Sequence, residues 1–509
     1  MRVGIVSAFV DYHRRGAHHR GVLQPQVGPL LAALLPAGVE VDVVNDAWTD
    51  PDWARDYDLL LISCLHSDFD RARQISHYWR RRGAKTVLGG IMASTFPGVC
   101  APWFDAIVIG DPEDTVPRLV DDFARGNLQP VYRSRGYRPA AVPTPKVELM
   151  AEQQLLPLGL EATRGCNFAC DFCALTAAGT RFETRPAGHV VRDLIAMRAA
   201  LGARARWPRD AMVIFYDNNI GGNPRYLASL AQALSRLNIR WGSCITFNAA
   251  DDEQLIATLA RSGCRYLYVG LESFNARTLR SMNKRQNVIA RTHTMIRRCH
   301  RLGILLDAGL MLSPLEDDLE YVRAIPRLLD ESGLKVPSYI CFETPIPGTP
   351  HFHKLAASKT PALLPNALLR DFSTYTLVTR PRHAPAAEFI AAYKTLIAEV
   401  FAPARRARKL AHDARRLLPD GGWFAWALDC AAQYWNAYRP DPDRTYLAGS
   451  DRAPPEAERI PFAPDDFRDE EELEAIMKPW AVADCNGFVL PQWLGATPAH
   501  ERKRRASVA

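Results

Sequence analysis

The chain has 509 residues, of which 48% are hydrophobic and 23% are charged, with a formal net charge of +7. This length allows two to four domains with buried cores, and the composition is that of a globular protein rather than a disordered or fibrous one. The modest charge gives no reason to expect a nucleic-acid partner. We interpret the short basic runs as solvated helix faces and a frayed tail, with contact to nucleic acid or an acidic membrane as the alternative.

No stretch reaches the roughly 18 apolar residues that a membrane span requires, and the first residues lack the pattern of a signal peptide. The sequence therefore predicts a cytoplasmic protein without a transmembrane segment. Eight of the eleven cysteines are scattered singly along the chain, which is typical of buried thiols in a reducing compartment.

The first 140 residues alternate short apolar runs with helical stretches. Apolar strands separated by helices predict a parallel sheet covered on both faces, which is a doubly wound, Rossmann-like α/β domain. Ligands of such domains bind beyond the carboxyl ends of the strands. The predicted strands are residues 3–8, 39–44, 59–63, 86–88 and 106–109.

A second strand–helix series begins near residue 156. Six repeats of a strand followed by a helix predict a partial (β/α)6 barrel of the TIM type, with the chemistry at the carboxyl ends of its strands. The predicted strands are residues 158–163, 212–216, 241–246, 266–270, 305–311 and 338–342.

After residue 356 the pattern becomes mainly helical. We therefore divide the chain into an α/β domain (1–140), a linker (141–155), a barrel (156–355) and a helical carboxyl-terminal domain (356–509), which we expect to close over a substrate. The stripe of Trp423, Trp426, Tyr434 and Trp435 is more typical of a helix core than of a ligand site.

Three cysteines, Cys166, Cys170 and Cys173, follow the first barrel strand with the spacing C-x3-C-x2-C. Thiolates at this density bind a soft metal or an iron–sulfur cluster. Zinc is the first alternative, but a structural zinc site needs four ligands, usually in two pairs, and no second pair is present. Three thiolates on a [4Fe–4S] cluster leave one iron open to a substrate or cofactor.

This motif after the first strand of a six-unit β/α barrel resembles the radical SAM superfamily. The resemblance implies a [4Fe–4S] cluster held by the three cysteines, with the open iron binding S-adenosylmethionine (SAM). In that family, one-electron reduction cleaves SAM to a 5′-deoxyadenosyl radical. The protein supplies positioning and exclusion of water.

The resemblance also implies residues that contact SAM. Asp217 ends the second predicted barrel strand, where the family binds the SAM amino group, and a carboxylate suits an ammonium. An Asx turn at a strand end is the alternative interpretation of Asp217. Glu272 and Ser273 follow the fourth strand, from which relatives contact the ribose or carboxylate of SAM. Residues 308–313 resemble the strand that seats the adenine, although Ser313 stands where relatives often have glycine.

The stretch T-P-x-P-G-T-P at residues 344–350 resembles the subset of radical SAM enzymes with an amino-terminal cobalamin-binding domain. The glycine pair in the first domain is similar to the corrinoid site of that subset, although relatives often have histidine where Ile91 or Met92 stands. The residues that the resemblance places at the cobalamin are Ser63, His66, Gly89, Gly90 and Gly110.

Residues 11–16 match D-x-H-x-x-G, a loop by which some B12 proteins bind cobalt through histidine. Cobalamin radical SAM enzymes generally bind the corrinoid without such a ligand, and this loop is rich in histidine and arginine. Either His13 binds the cobalt, or the lower face meets residues 64–67 with no ligand or only water.

The resemblance implies a cobalamin-dependent radical SAM enzyme, most directly one that methylates an unactivated carbon of a small-molecule or lipid-like substrate. It also implies an electron donor such as flavodoxin or ferredoxin. One alternative keeps both cofactors but performs ring formation or oxidative rearrangement. Another is a non-catalytic sensor that binds a cluster or corrinoid.

Overall fold

A computed structural model of the chain describes residues 1–10, 26–153, 156, 158–202, 212–358, 362–364, 367–435, 447–448 and 460–481. Among these residues, no helix combines the length and apolar character that crossing a membrane requires. His13 and the D-x-H-x-x-G loop lie outside the described residues.

The amino-terminal part is a six-stranded parallel sheet in the order β2-β1-β3-β4-β5-β6. Strand order reverses between β1 and β3, which makes their carboxyl ends the place where such sheets bind ligands. The strands are β1 (Arg2–Ser7), β2 (Glu40–Asn45), β3 (Leu59–Ser63), β4 (Lys85–Gly89), β5 (Ala106–Ile109) and β6 (Val131–Arg133).

Alternate side chains of these strands enter two different cores, because successive residues of a strand point to opposite faces. Val3 and Leu61 pack on the side of α1 and α5, and Leu60 and Ile62 pack on the side of α2 and α3. This confirms the doubly wound prediction. The helices are α1 (Val27–Ala33), α2 (Phe69–Arg80), α3 (Gly90–Thr95), α4 (Pro97–Cys100) and α5 (Pro112–Ala124).

The second sheet is also parallel, in the order β14-β13-β12-β11-β10-β7, and it forms the predicted open barrel. Strands β8 (Thr163–Arg164) and β9 (Glu183–Thr184) pair separately as a short antiparallel ladder around the cysteine loop. The barrel strands are β7 (Gly159–Leu160), β10 (Met212–Phe215), β11 (Arg240–Ile245), β12 (Cys264–Glu272), β13 (Leu305–Leu312) and β14 (Tyr339–Phe342).

The side chains on the outer face of the barrel strands pack against the surrounding helices and form a hydrophobic core. Val213 and Phe215 of β10 and Leu267 and Val269 of β12 belong to this core. The helices are α6 (Ala174–Ala177), α7 (Ala187–Leu201), α8 (Pro224–Leu234), α9 (Phe247–Ala250), α10 (Glu253–Arg261), α11 (Ala276–Ser281), α12 (Thr292–Arg301), α13 (Leu319–Ser332) and α14 (Pro350–Ala356).

The carboxyl-terminal helices pack on the helices and strands of the barrel, and their expected closure over a substrate stays a prediction. Helix α15 (Ala386–Val400) packs on α13, and α16 (Pro403–Leu417) packs on α12 and α17 (Trp423–Trp435). Phe424 and Leu428 of α17 meet Met212, at the amino end of β10. Helix α17 therefore lies at the amino ends of the barrel strands, opposite the cysteine loop, with α16 packed on it.

Irregular segments of the carboxyl-terminal region lie at the other end of the barrel instead. Leu369, Phe372 and Ile460 join the core of the first domain beneath α2 and α3. The amide of Phe342 donates to the carbonyl of Thr374 (2.8 Å), which holds residues 372–376 at the carboxyl end of β14. The short apolar stretches of these segments lack helical periodicity, so the sequence did not predict that they would lie at the carboxyl end of the barrel. Helix α18 (Glu470–Met477) lies against α2.

Candidate active site

The three cysteines occupy the loop between β8 and α6, at the carboxyl mouth of the barrel. Cys170 is buried, and Cys166 and Cys173 are partly exposed. The amide of Cys173 donates to the carbonyl of Cys170 (3.2 Å), and Cys173 caps α6, whose Thr176 amide donates to the Cys173 carbonyl (3.0 Å). These backbone hydrogen bonds hold Cys170 and Cys173 within one turn, and Cys166 lies four residues before Cys170.

Two side-chain amides approach the sulfur atoms. Nδ2 of Asn219 lies 3.7 Å from Sγ of Cys166, and Nε2 of Gln286 lies 3.8 Å from Sγ of Cys170. Burial raises the pKa of Cys170 to about 11, while the nearby ammonium of Lys284 acts in the opposite direction. Hydrogen-bond donors and positive charge of this kind stabilise the thiolate form of cysteine, which is the form that binds a metal.

The donor set fits a cluster better than a single ion. Across the described parts of the chain, no three His, Cys, Asp or Glu side chains converge closely enough to hold one metal ion. The thiols of a cubane bind three different irons and need not meet at one point. Three thiols with amide donors beside them suit a [4Fe–4S] cluster with one open iron.

Gly165 shapes the entry into this loop. Its φ is +82°, and a Cβ there would lie 2.1 Å from the carbonyl oxygen of Arg181. A φ of this sign strains every residue except glycine, and the contact is with backbone that cannot move aside. The loop therefore requires glycine before Cys166.

Gly165→Ala should destabilise the chain by about 1–3 kcal/mol and lower iron incorporation, because the loop must shift to admit the methyl group. Gly188→Ala is the matched control, since a Cβ at this helical glycine meets nothing within 4 Å. Urea unfolding and iron content measure both effects. Equal stability and equal iron content of the two variants would show that the loop does not require glycine at position 165.

Asp217 lies directly after β10 and is buried. One carboxylate oxygen accepts from the amide of Ala162 (3.0 Å), and the other accepts from the amide of Thr163. Asp217 thereby ties the end of β10 to the strand that leads into the cysteine loop. Its contact with SAM stays a prediction, and the geometry gives it a positioning role in addition.

Glu343 is a second buried carboxyl group at the mouth. It follows β14 and accepts from the hydroxyl of Ser313 (2.6 Å), while Nε2 of His351 lies 3.9 Å from its other oxygen. Burial raises the pKa of Glu343 to about 7 and lowers that of His351 to about 4. The sequence did not single out either residue, although both flank the T-P-x-P-G-T-P loop.

Glu343→Gln should change how stability depends on pH. The wild-type carboxyl binds a proton in the folded state at pH values where the unfolded chain, with a pKa of about 4, has lost it. Its contribution therefore makes the free energy of unfolding fall between about pH 4 and 7, and glutamine removes that fall. We expect the variant to gain about 1–2 kcal/mol relative to wild type from pH 5 to 7.5.

Urea unfolding at both pH values measures this difference, with Glu331→Gln on the exposed face of α13 as the control. If the free energy of unfolding depends on pH in the same way for wild type and Glu343→Gln, the pKa of Glu343 is not raised in the folded chain.

Glu272 ends β12 in a left-handed conformation (φ +65°) and is buried. Its Oε1 lies 2.7 Å from Nζ of Lys284, whose side chain is only 11% exposed. Gly270 makes room for this pair, because a Cβ there would lie 2.3 Å from the same oxygen. The side chain of Ser273 belongs to a different hydrogen-bond network. Its hydroxyl forms a hydrogen bond with the hydroxyl of Tyr321 (2.8 Å) and accepts one from the amide of Asn275 (3.0 Å). Of Glu272 and Ser273, only Glu272 acts electrostatically on the thiol of Cys170.

An apolar wall lies next to the cysteine loop. Met282, Met311 and Cys341 are buried together, and Phe172 and Tyr375 pack against them. Phe172 comes from the cysteine loop itself and Tyr375 from the carboxyl-terminal segment. The mouth thus offers charged groups on one side and an apolar surface on the other.

The residues predicted for cobalamin lie at the carboxyl ends of neighbouring strands of the first sheet. Ser63 ends β3, Gly89 ends β4 and Gly110 follows β5. Among the described residues, a Cβ at Gly89 would meet nothing nearer than 3.8 Å, whereas one at Gly90 (φ +85°) would lie 2.8 Å from Oγ of Ser63. Of the two glycines, Gly89 is therefore the one beside which a ligand could approach the backbone.

His66 is less accessible than expected. It is 5% exposed, its ring meets that of Phe96 edge-on with centroids 5.5 Å apart, and burial lowers its pKa to about 4. The neighbouring Leu65 is 60% exposed and presents its side chain at the same edge.

Residues 160–325 match the Radical SAM superfamily. This part of the chain is therefore a radical SAM domain. The match covers the cysteine loop, Asp217, Glu272 and most of the barrel, and it confirms the prediction made from the cysteine spacing. Three residues that sequence reasoning missed lie within the radical SAM domain: Asn219 in the loop after β10, and Lys284 and Gln286 in the loop after α11.

The chain is similar to a bacteriochlorophyllide d C-12(1)-methyltransferase from Chlorobaculum tepidum. The two are 26% identical over 309 residues, which cover 59% of this chain and 66% of the relative. The matched stretch thus spans slightly less than two thirds of the relative's length.

Two solved structures share the fold. The cobalamin-dependent SAM radical enzyme OxsB, with aqua-cobalamin and SAM bound, has a TM-score of 0.59 and 12% identity, covering 99% of this chain and 83% of that one. The radical SAM methyltransferase TsrM from Kitasatospora setae, with cobalamin and a [4Fe–4S] cluster bound, has a TM-score of 0.54 and 18% identity, covering 71% and 80%. The OxsB likeness extends over both sheets and confirms the predicted fold class.

Proposed function

We propose that this chain is a cobalamin-dependent radical SAM enzyme that methylates an unactivated carbon. The observation that carries the proposal is the placement of the cysteine loop, at the carboxyl mouth of one parallel sheet, against the carboxyl edge of a second sheet that presents Gly89 and Gly90. Substrate held between the two edges would meet both cofactors while water is excluded.

In this proposal the [4Fe–4S] cluster supplies the electron that cleaves SAM to the hydrogen-abstracting radical, and cobalamin supplies the methyl group. Cys166, Cys170 and Cys173 would hold the cluster, while Asp217, Glu272 and Lys284 shape the SAM side of the mouth. Ser63, Gly89, Gly90 and Gly110, with Leu65 at the lower face, would hold the corrinoid. A low-potential donor such as flavodoxin or ferredoxin would supply electrons in the cytoplasm.

The substrate class we propose is a large, apolar, ring-containing molecule. The wall formed by Phe172, Met311 and Tyr375 supports this, because such side chains bind apolar ring surfaces. The relative that is named a bacteriochlorophyllide methyltransferase acts on a molecule of this description. The domain roles that we propose are corrinoid binding for residues 1–140 and cluster and SAM binding for residues 156–355.

The reaction is tested by incubating the reconstituted enzyme with SAM labelled in the methyl group, a strong reductant and candidate apolar ring substrates. A product that carries the label supports methylation. The alternative is cyclisation or oxidative rearrangement with both cofactors but without methyl transfer. Product altered in mass without label would replace the methylation proposal by that alternative.

Gly89→Ala should weaken cobalamin binding by about tenfold or more while leaving the fold intact, because the methyl group has space in the protein but would occupy the ligand surface. Equilibrium dialysis with hydroxocobalamin measures the affinity, and thermal unfolding of the unloaded chain provides the folding control. Unchanged cobalamin affinity would place the corrinoid elsewhere.

A further inference from the structure

Arg164 joins the two domains immediately before the cysteine loop. Its guanidinium donates to Oδ1 of Asp111 (2.9 Å) and to both carboxylate oxygens of Glu113 (2.8 and 3.1 Å) in the first domain. It also donates to Oε2 of Glu161 from the same strand segment (2.7 and 3.0 Å). The guanidinium carbon stacks over the ring of Tyr137 at 4.0 Å.

The contact is shielded from solvent. The side chain of Arg164 is 13% exposed and that of Glu113 is 4% exposed. A planar guanidinium that bonds a carboxylate through both oxygens fixes orientation as well as distance. Lysine, a point charge on a flexible stem, would keep the charge and lose the bidentate geometry.

Both ends of this contact lead directly to a candidate cofactor site. On the barrel side, Gly165 alone separates Arg164 from Cys166, and its backbone lies so close to Arg181 that a Cβ there would be 2.1 Å from the carbonyl oxygen of that residue. On the other side, Gly110 precedes Asp111, and the amide of Gly110 donates to Oγ of Ser94 (3.0 Å) on α3, the helix that starts at Gly90. A short, continuous set of contacts therefore connects the cysteine loop with the glycine pair.

A second contact closes the other side of the interface. A Cβ at Gly348 would lie 2.6 Å from Cγ2 of Thr95 on α3 and 3.6 Å from Cβ of Ala177 on α6. The amide of His351 donates to the carbonyl of Asp171 within the cysteine loop (2.9 Å). This second side of the interface is held by close packing of small residues, whereas Arg164 makes a charged and directional contact.

We infer that Arg164 is a positioning residue that locks the cysteine loop to the carboxyl edge of the first sheet and so fixes the separation of the two cofactor sites. The inference rests on the proposed function for what the sites hold. The role of Arg164 itself rests on its contacts with Asp111 and Glu113. Its loss would leave each site intact and allow one to move relative to the other.

The test compares Arg164→Met and Arg164→Lys with Arg125→Met, whose ion pairs with Asp121 and Asp122 are exposed on α5. Hydrogen exchange of the unloaded chain is followed in residues 106–116 and 159–170. We expect both Arg164 variants to exchange about tenfold or more faster in these two segments, with residues 187–201 unchanged. We expect Arg125→Met to match wild type.

A second readout uses the loaded enzyme with SAM and reductant, and needs no identified substrate. S-adenosylhomocysteine reports methyl transfer between the sites, and 5′-deoxyadenosine reports cleavage at the cluster alone. We expect the ratio of the first to the second to fall about tenfold or more in Arg164→Met, with iron and cobalamin contents retained.

Three results would overturn the inference: unchanged exchange in both segments, faster exchange throughout the chain, or local loss of protection with an unchanged product ratio. If wild type forms neither product, the proposed function fails, and the exchange experiment alone then decides the role of Arg164.

Discussion

Replacing any one of Cys166, Cys170 and Cys173 by alanine is expected to abolish cleavage of SAM. Two thiolates cannot hold a [4Fe–4S] cluster with its open iron in a defined place, so the visible absorption of the reconstituted protein should fall to that of protein without iron. The measurement is 5′-deoxyadenosine formed per chain under a strong reductant. The expected loss is complete for each single variant.

The control is Cys430→Ala, since Cys430 lies on α17 at the opposite end of the barrel and is only partly buried. This variant should reconstitute and cleave SAM like wild type. If a cysteine of the loop can be replaced with the absorption and cleavage retained, the three thiols are not the cluster ligands.

Lys284→Met is expected to destabilise the chain by about 3–5 kcal/mol, because it leaves the Glu272 carboxylate buried and unpaired. Cleavage of SAM should also fall by about 10–100-fold, since the same ammonium lies beside the thiol of Cys170. The double variant Glu272→Gln with Lys284→Met should recover much of the stability, because no charge is left buried, but not the activity.

The matched control for this pair is Arg327→Met. Arg327 and Glu331 form an ion pair of similar length (2.6 Å) on α13, but their side chains are 67% and 56% exposed. An exposed pair contributes at most about 1 kcal/mol, so this variant should resemble wild type in both assays. Equal losses for Lys284→Met and Arg327→Met would show that the position beside the cysteines has no special role.

The sequence was most informative where a short pattern determines both structure and chemistry. The strand ends at Ser63, Gly89 and Phe215 were predicted within one residue, because apolar runs that end in glycine or polar residues mark buried parallel strands. The cysteine spacing led to the superfamily for the same reason, since three ligands within one loop are visible without knowledge of the fold.

Pairings between distant residues could not be predicted in this way. Lys284 with Glu272, and Arg164 with Asp111 and Glu113, are ordinary charged residues until the chain folds and buries them together. The packing positions of the carboxyl-terminal helices could not be predicted for a related reason. The sequence of α16 and α17 specifies helices, but it does not specify at which end of the barrel they pack.

The central claim is that one chain brings a SAM-cleaving cluster and a corrinoid to the same cavity. The most direct test loads the chain with iron, sulfide and cobalamin, adds SAM and a strong reductant, and quantifies the two products of SAM by mass spectrometry. We predict that both S-adenosylhomocysteine and 5′-deoxyadenosine form, and that omission of cobalamin removes only the first. Formation of 5′-deoxyadenosine alone, whether or not cobalamin is present, would contradict the claim.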